Sequence, residues 1–462
     1  MRRTTFQADC FQLAAVLNLS GTIDAEEAYM TELDLTLAPV EKIPEISLYL
    51  PGSKSIANRA LLLAALAQGK SILHNVPKEG EDVQLMISAL KELGIPIIAF
   101  GEAGSYLIEG CCGIFPVKKA EIFCGNAGTV MRFLTAVLAL GAGHYHLTCV
   151  ERMKDRPIGD LIASLVQLGA DIEFLEKSDY PPLKIGPFSD SRYSVIDCGG
   201  RNSSQYVSAL LIACALLKRE ISIHVKDHLV SQSYVEMTVN LLNKFSIPVE
   251  AKKETYKMWN FQILRGIEYT IEPDASSASY FLAAAAIKGK VTVKGIGKHS
   301  IQGDSHFAET LSKMGAKVVY DSDEITVSSS GLIKPIDMDM NNMPDAAMTL
   351  GVLCLFANGV SRIRGIATWK IKETDRLKAM HTELSKLGAS VFIDENSITI
   401  IPPERVNHGV CIDTYDDHRM AMAFSLVAVY GVEVTIKNYS CVSKTFPQYF
   451  SLFKKLFYET YV

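Results

Sequence analysis

Hydrophobic and polar positions follow one pattern that recurs six times along the chain. Each copy has a polar or acidic residue, a helix of small apolar residues, a turn usually marked by Gly, and a β-branched strand. The copies are 70 to 76 residues apart, which indicates an internal repeat. The predicted strands begin at Ser71, Tyr145, Ile221, Val291, Ser361 and Glu433, and the helices before them begin near Ser53, Asn126, Ser203, Ser276, Asp345 and Asp416.

A second helix follows each strand and, in most copies, ends at a Leu-Gly pair or a similar stop. Gly94, Gly169 and Gly388 are suited to this place, because Gly readily adopts the left-handed conformation that ends a helix. The pattern therefore predicts six α/β units of about 70 residues, which the usual domain size groups into two lobes of three units. The alternative is a solenoid with an extended binding face.

The composition is typical of a soluble globular protein, with 48% hydrophobic and 21% charged residues among 462. The net charge of −5 disfavours nucleic acid, which usually needs a basic excess, but allows a local basic pocket for a small anion. The apolar runs are shorter than the ~20 residues of a membrane helix. The ten cysteines form no zinc pattern and indicate reduced thiols in a cytoplasmic protein. Residues 1–29 lie outside the repeat, and we expect a disordered extension or a mis-assigned start, with Met30 as the alternative first residue.

Polar and charged residues cluster where the predicted helices begin. A helix N-terminus has free N–H groups and about half a positive charge, so it favours anions. Added Lys and Arg side chains predict a site for a multiply charged anion, most naturally phosphates and carboxylates. The residues at these helix starts include Lys54, Ser55, Arg59, Asn126, Arg132, Lys154, Arg156, Ser203, Ser204, Gln205, Ser231, Tyr234, Lys372, Glu373, Arg376, Asp417, Arg419 and Lys444.

Each of these motifs taken alone also has a structural interpretation. Lys54 alone could be a solvated lysine in a turn, and Ser203 could be a helix cap. The charged run 372–376 could be the exposed face of a helix. His418 has no second metal ligand at a suitable spacing. The anion site is nevertheless favoured, because a structural repeat alone does not require basic residues at so many helix starts.

Eight motifs run in order from about Met30 to the C-terminus. They are LPGSKSIANRALLLAAL from Leu50, GNAGTVMRFL from Gly125, RMKDRPIGDL from Arg152, NSSQY from Asn202, PDAAMT from Pro344, KETDRLKAM from Lys372, YDDHRMAMAFSLVA from Tyr415 and KTFPQYF from Lys444. Together they resemble the 5-enolpyruvylshikimate-3-phosphate synthase family. The resemblance implies an α/β fold, a two-domain inverse α/β barrel of six βαβαββ units, three per domain, with the active site in the cleft between domains. The implied lobes are residues 53–271 and residues 30–52 plus 272–462.

The resemblance also implies the reaction. The enolpyruvyl group of phosphoenolpyruvate is transferred to the 5-hydroxyl of shikimate 3-phosphate, releasing phosphate, in the pathway to chorismate and the aromatic amino acids. No metal and no organic cofactor is implied. The expected partners are the two small-molecule substrates, without nucleic acid or membrane, and a monomer is expected.

The same resemblance implies the site residues. Asp345 and Glu373 would be the proton-transfer pair, with Lys54 as stabiliser and proton carrier, and which carboxylate serves which step is left open. Thr368 stands where the family usually has an Asn that contacts shikimate 3-phosphate. Shikimate 3-phosphate would be held by Lys54, Ser55, Arg59, Ser203, Ser204, Gln205, Ser231, Tyr234, Asp345, Thr368 and Lys372, and phosphoenolpyruvate by Lys54, Gly128, Arg156, Gln205, Arg376, Arg419 and Lys444.

Gly128 implies a further property, because glyphosate-sensitive members of the family have Gly at this position. We therefore expect glyphosate to inhibit competitively. Two alternatives stay open. One is the related UDP-N-acetylglucosamine enolpyruvyl transferase, whose catalytic Cys loop is not apparent here. The other is a non-catalytic anion-binding relative, which would be expected to have lost Lys54, Asp345 or Glu373.

Overall fold

A computed structural model of the protein describes residues 33–101, 104–259 and 263–459. The expectations for residues 1–29 and for Met30 lie outside these residues. Two strands precede the first repeated unit, β1 (Leu35–Leu37) and β2 (Glu45–Tyr49).

Units one to three follow between residues 54 and 270. Their elements are α1 (Lys54–Leu66), β3 (Lys70–His74), α2 (Glu81–Glu92), β4 (Ile97–Phe100), β5 (Ser105–Glu109), β6 (Lys119–Phe123), α3 (Gly128–Ala139), β7 (His144–Thr148), α4 (Glu151–Lys154), α5 (Gly159–Leu168), β8 (Ile172–Phe174), β9 (Leu183–Ile185), β10 (Val195–Cys198), α6 (Ser204–Cys214), β11 (Ile221–Val225), α7 (Gln232–Lys244), β12 (Val249–Lys252), β13 (Thr255–Met258) and β14 (Glu268–Thr270).

Units four to six complete the chain. Their elements are α8 (Ala275–Ile287), β15 (Lys290–Lys294), α9 (Phe307–Lys313), β16 (Lys317–Tyr320), β17 (Glu324–Ser328), β18 (Asp337–Asp339), α10 (Ala346–Cys354), β19 (Ser361–Arg364), α11 (Arg376–Lys386), β20 (Ser390–Ile393), β21 (Ser397–Ile401), β22 (Val410–Ile412), α12 (His418–Phe424), α13 (Leu426–Tyr430), β23 (Val434–Ile436) and α14 (Tyr449–Phe457). Short 3-10 turns cover Gly303–His306, Ala367–Ile371 and Tyr439–Lys444.

Each unit forms its own small sheet. In unit two the strand order is β6-β7-β9-β8, with β6 parallel to β7 and the other pairs antiparallel. The parallel pair is joined through α3 and the antiparallel strands follow α5, so the unit has the predicted βαβαββ order. Five sheets of the described chain have four strands and one has three.

Three sheets are completed by strands from distant parts of the sequence. The first unit takes β14 as the parallel partner of β3, and the fourth takes β2 as the parallel partner of β15. In the sixth unit β1 pairs antiparallel with β23. The chain segments that cross between units one and four lie side by side, where Gly52 bridges to Pro273 and the Ser53 N–H donates to the Glu272 carbonyl at 2.8 Å.

The buried apolar residues form two separate cores. The first core draws its residues from 56–271, and the second from 37–50 and 275–457. The first helix of each unit is the most deeply buried, and every residue of α3 is buried. Small apolar residues suit this place, because a helix that is apolar all round must be covered on all sides.

The first helix of each unit starts within two residues of its predicted position, whereas two of the predicted second-helix starts do not begin a helix. Ser203, Asp274 and Asp417 cap α6, α8 and α12 by accepting a backbone N–H of the first turn. Two predicted starts differ. Arg156 lies between α4 and α5, and Lys444 ends a 3-10 turn before α14. In both places a Pro follows within three residues and disfavours the helical conformation of the residue before it.

Within residues 33–101, 104–259 and 263–459, none of the helices has the length and apolar character needed to cross a bilayer.

Candidate active site

The first helices and the segments before the second helices bring their polar residues into one cleft between the two cores. Fifteen of the predicted site residues line it, and so do Thr129, Arg132, Asn202, Val230 and Ile371. The predicted lining residues are Lys54, Ser55, Arg59, Arg156, Ser203, Ser204, Gln205, Ser231, Tyr234, Asp345, Thr368, Lys372, Glu373, Arg376 and Arg419.

Arg376, the first residue of α11, is 1% exposed and contacts three carboxylates. Its Nε lies 2.7 Å from Asp417 Oδ2, its Nη1 2.9 Å from Asp345 Oδ1 and its Nη2 2.8 Å from Glu373 Oε2. Arg419 Nη2 lies 2.8 Å from the second oxygen of Asp345. A buried charge is costly unless it is paired, so these anions and cations stabilise one another only as a set.

The carboxyl groups of Asp345 and Glu373 are held ionised by this set. Burial would raise the pKa of Asp345, but Arg419, Lys372 and Arg376 outweigh it and hold the pKa well below its usual range. Burial likewise opposes the charge of Glu373, and the cations around it, Arg376 first, hold its pKa well below normal. Both groups are therefore ionised carboxylates, so each can accept a proton and neither can donate one.

Lys54, Asp82 and Lys444 form a buried ion triad beside the cleft. Asp82 lies 3.0 Å from Lys54 Nζ and 2.7 Å from Lys444 Nζ. Lys444 Nζ also donates to the Asn126 carbonyl at 3.0 Å. Burial would lower the pKa of Lys54, but Asp82 and the other carboxylates raise it, so the ammonium stays charged. Lys54 lines the cleft, and Lys444 lies behind it, joined to it through Asp82.

Gly128 begins α3 at a point where three polar side chains converge. A Cβ atom there would lie 2.9 Å from Arg156 Nη2, 3.0 Å from Gln205 Oε1 and 3.2 Å from Arg132 Nη1. Arg132 donates to Gln205 Oε1 at 2.7 Å, and Arg156 donates to the Asn126 carbonyl at 2.9 Å. The glycine makes room for this arrangement of two guanidinium groups and an amide.

Arg59 connects α1 with α7 within the first core, and Tyr234 connects α7 with the second core. Arg59 Nε donates to Thr238 Oγ1 at 2.7 Å and its Nη1 to the Ser55 carbonyl at 2.8 Å, so much of its donor capacity is used within the protein. The Tyr234 hydroxyl donates to Asp345 Oδ2 at 3.1 Å. Asp345 therefore receives hydrogen bonds from both cores.

Three further predicted residues lie at the cleft wall. Thr368 is 5% exposed, and its hydroxyl has no partner within the described part of the chain. Ser231 has φ 53°, a left-handed conformation that costs a non-Gly residue about 1 kcal/mol or more and often occurs at functional sites. Burial lowers the pKa of Lys372 by more than Asp345 raises it.

We find no metal centre among residues 33–101, 104–259 and 263–459, where no three His, Cys, Asp or Glu side chains are grouped to hold an ion.

A family model described as EPSP synthase (3-phosphoshikimate 1-carboxyvinyltransferase) matches residues 44–453. The chain belongs to the EPSP synthase family. A 3-phosphoshikimate 1-carboxyvinyltransferase from Aliivibrio salmonicida is 47% identical over 429 residues, covering 91% of this chain and 99% of the relative. Another from Paraburkholderia phymatum is 46% identical over 421 residues, covering 88% of this chain and 95% of the relative.

Solved structures show the same fold. EPSP synthase from Acinetobacter baumannii superimposes with a TM-score of 0.77 at 24% identity, over 92% of this chain and 98% of that chain. The enolpyruvyl transferase NikO from Streptomyces tendae has a TM-score of 0.74 at 16% identity, over 92% and 97%. The two-domain inverse α/β architecture predicted from the resemblance is thus confirmed.

Sequence reasoning missed a link between the cores of this EPSP synthase family member. Arg152 Nε donates to the Glu373 carbonyl at 2.9 Å, and its Nη2 donates to the Lys372 carbonyl at 2.8 Å. Both contacts are to backbone atoms, so no pairing of side-chain types in the sequence points to them. They fix the segment that carries Lys372 and Glu373.

Two buried acids were also missed. Asp82 joins Lys54 to Lys444, and Asp304 lies 3.5 Å from the Tyr234 hydroxyl. Both stand near the start of the second helix, in units one and four. The other four units have polar residues at the same place, all of them among the predicted helix-start residues, so the repeat points to Asp82 and Asp304 as well.

Proposed function

We propose that this chain transfers the enolpyruvyl group of phosphoenolpyruvate to the 5-hydroxyl of shikimate 3-phosphate and releases phosphate. The observation that carries the proposal is one cleft in which two ionised carboxylates, Asp345 and Glu373, stand among cations from both cores. The substrates together bring two phosphates, two carboxylates and one hydroxyl that must lose a proton. The names of the relatives support the same activity.

We assign the cleft residues to the two substrates by the family resemblance. Cations and hydroxyls at helix starts suit phosphate and carboxylate oxygens, and bidentate guanidinium contacts orient them. For shikimate 3-phosphate we assign Lys54, Ser55, Arg59, Ser203, Ser204, Gln205, Ser231, Tyr234, Asp345, Thr368 and Lys372, and for phosphoenolpyruvate Lys54, Gly128, Arg156, Gln205, Arg376, Arg419 and Lys444.

The addition step needs one proton acceptor and one proton donor. The 5-hydroxyl oxygen attacks C2 of phosphoenolpyruvate, and its proton passes to Asp345 or Glu373. A proton reaches the methylene carbon, which becomes a methyl group, and Lys54 is the charged group we assign to carry it. The product of this step is a tetrahedral intermediate that still holds its phosphate.

The elimination step reverses the proton transfers. A proton passes from the methyl group back to Lys54, the carbon–carbon double bond re-forms, and the bond from C2 to the phosphate oxygen breaks. The phosphate takes that electron pair, and nearby guanidinium groups stabilise its charge. The carboxylate that accepted the hydroxyl proton, Asp345 or Glu373, gives it to the departing phosphate, so the carboxylate and Lys54 both return to their starting protonation states.

Phosphate release from purified protein tests the proposal. Protein with phosphoenolpyruvate and shikimate 3-phosphate should release phosphate, whereas UDP-N-acetylglucosamine as acceptor should give none. Release only with the nucleotide sugar would favour the related transferase. No release with either acceptor, together with tight binding of shikimate 3-phosphate, would favour the non-catalytic relative.

Gly128→Ala should weaken phosphoenolpyruvate and glyphosate more than shikimate 3-phosphate. The added methyl group would meet Arg156 and Gln205 at 2.9 and 3.0 Å, and both are residues that we assign to phosphoenolpyruvate. We expect competitive inhibition of the wild type by glyphosate, and a rise of about tenfold or more in the inhibition constant of the variant, as for a displaced ligand. Steady-state kinetics at varied phosphoenolpyruvate measure both quantities.

Gly141→Ala is the matched control, because Gly141 directly follows the same helix and its Cβ would meet only the Leu138 carbonyl below 3.4 Å. This variant should keep the wild-type inhibition constant. Equal effects of the two substitutions, or inhibition of the wild type that is not competitive with phosphoenolpyruvate, would contradict the assignment of Gly128.

Shikimate 3-phosphate should compact the protein in solution. Like charges in the cleft repel one another, and a bound anion that touches Arg59 and Lys372 draws the cores together. The scattering radius should fall at saturating ligand. Arg152→Gln should need more ligand for the same decrease, because the variant lacks the hydrogen bonds to the 372 and 373 carbonyls. An unchanged radius in the wild type would refute the prediction.

We further propose that the chain acts in the cytoplasm as a monomer. The nine cysteines among the described residues are all free thiols and five of them are buried, which supports a reducing compartment. Sedimentation velocity and cell fractionation test the two statements separately.

A further inference from the structure

Asp304 is a buried acid that the reaction as described does not use. It lies in the 3-10 turn Gly303–His306 and is 5% exposed. Its Oδ2 accepts a hydrogen bond from the Ser276 hydroxyl and lies 3.5 Å from the Tyr234 hydroxyl oxygen. Its Oδ1 has no hydrogen-bond partner in the described part of the chain. An ionised carboxylate with an unpaired oxygen is costly in such a place, so the geometry favours the neutral acid.

The Tyr234 hydroxyl stands between two carboxyl groups and has one hydrogen to donate. Asp345 Oδ2 is 3.1 Å away and Asp304 Oδ2 is 3.5 Å away. Asp345 is ionised through its pairs with Arg376 and Arg419, so it takes the hydrogen while Asp304 is neutral. An ionised Asp304 would compete for the same hydrogen, because a carboxylate can only accept.

We propose that Asp304 is a positioning residue that acts through Tyr234 on the Asp345 carboxylate. The neutral acid leaves the Tyr234 hydrogen on Asp345 and so keeps that carboxylate oriented. The ionised acid draws the hydrogen away and adds a negative charge behind the shikimate 3-phosphate site. The inference rests on the proposed function, because Tyr234 and Asp345 are residues that we assign to that substrate.

The groups around Asp304 raise its pKa, so that the acid ionises within the pH range in which the protein can be assayed. Burial, the largest cause, and then the charge of Asp345 raise the pKa of Asp304 to about 7, against the Ser276 hydrogen bond and Arg419, which lower it. The neutral form therefore prevails at pH 6 and the ionised form at pH 9. The charged and titratable groups that act on Asp304 from neighbouring elements are Asp274, Tyr234, Asp345 and Arg419.

Asp304→Asn tests the inference, since Asn stays neutral at every pH and can still accept from Ser276. We expect kcat/KM for shikimate 3-phosphate to agree with the wild type within about twofold at pH 6, because kcat/KM reports the free enzyme. At pH 9 the variant should exceed the wild type by about tenfold, since the wild-type acid is then mostly ionised. A ratio that is the same at both pH values would overturn the proposal.

The Tyr234→Phe background distinguishes an effect of Asp304 that is transmitted by Tyr234 from a direct effect of the negative charge on Asp304. In that background Asp304→Asn should change kcat/KM at pH 9 by less than about twofold, because the shared hydrogen is gone. A tenfold gain in kcat/KM at pH 9 that persists in the Phe background would show that Asp304 acts without Tyr234. That result would contradict the proposed positioning role.

Titration calorimetry gives a readout independent of turnover. At pH 8, binding of shikimate 3-phosphate to the wild type should take up protons, because the anion favours the neutral acid, and Asp304→Asn should take up fewer. Equal uptake would overturn the inference.

If the Asn variant fails to fold, Ser276→Ala replaces it. Loss of that hydrogen bond raises the pKa of Asp304, so the decline of kcat/KM should move to higher pH, and an unmoved profile would overturn the inference. A wild type that neither binds nor converts shikimate 3-phosphate would instead refute the proposed function.

Discussion

Glu373→Gln should lower kcat by about 10²–10⁴-fold, the usual contribution of a positioned proton-transfer group. Gln has nearly the same shape, and its carbonyl can still accept from Arg376 Nη2, which lies 2.8 Å from Glu373 Oε2. It cannot take up a proton at neutral pH. Steady-state rates and calorimetric affinity for shikimate 3-phosphate separate the two effects, and the affinity should change by less than about tenfold, one step of ~1.4 kcal/mol.

Glu383→Gln is the matched control for this prediction. Glu383 lies on the same helix, α11, and is also buried, but it pairs with Lys386 and accepts from Tyr415 away from the cleft. Its substitution should leave kcat near the wild-type value. If both variants lose activity equally, or if Glu373→Gln raises KM alone, Glu373 does not transfer protons.

Arg376→Met should lower the free energy of unfolding by about 3–5 kcal/mol, the cost of removing one partner from a buried ion set. Arg376 contacts Asp345, Glu373 and Asp417 at 2.7 to 2.9 Å, so two buried carboxylates and the partly buried Asp345 would lose their shared cation. Met fills a similar volume, so the loss comes mainly from charge. Urea unfolding followed by circular dichroism measures it, and turnover should fall with it.

The loss of stability in Arg376→Met should depend on pH. In the wild type the cations hold the pKa values of Asp345 and Glu373 below normal, so their stabilisation is present at neutral pH and is lost only on strong acidification. Without Arg376 those pKa values rise, and protonation relieves the unpaired charge. The deficit should therefore be smaller at pH 5 than at pH 7. The exposed pair of Arg362 and Asp394 offers the control, because Arg362→Met should change stability far less.

Features that depend on neighbouring residues could be predicted from the sequence. The cap at Ser203 and the strand at Ile221 follow from local rules, and both lie where the pattern placed them. The fifteen predicted residues that line the cleft were implied by the family resemblance, and most of them lie in short contiguous motifs at helix starts. Arg156 and Lys444 show the limit of this approach, since a following Pro displaced the helix start in each case.

Features that depend on distant residues could not be predicted from the pattern. The ion set of Arg376 joins positions on three different elements, and only the fold decides which carboxylate it meets. The same holds for Asp82 and Asp304, each of which has one partner in another unit, Lys444 and Tyr234 respectively. The repeat predicts a polar residue at each second-helix start, and so predicts the positions of Asp82 and Asp304, but it does not predict which residues they contact.

The pairing of β1 with β23 has a consequence for biosynthesis. Thr36 and Thr435 share a hydrogen bond at 2.9 Å across a sequence separation of 399 residues. At roughly 5–20 residues per second, a ribosome needs about 20–80 s to make the partner of a strand that has already emerged. The first core, whose residues all lie between 56 and 271, can close during that interval, while β2 waits for β15 (Lys290–Lys294) and β1 waits for β23 (Val434–Ile436), near the end of translation. Newly made chains should therefore pass through a state with one finished core and two unpaired strands, which is the stage most open to chaperones and to aggregation.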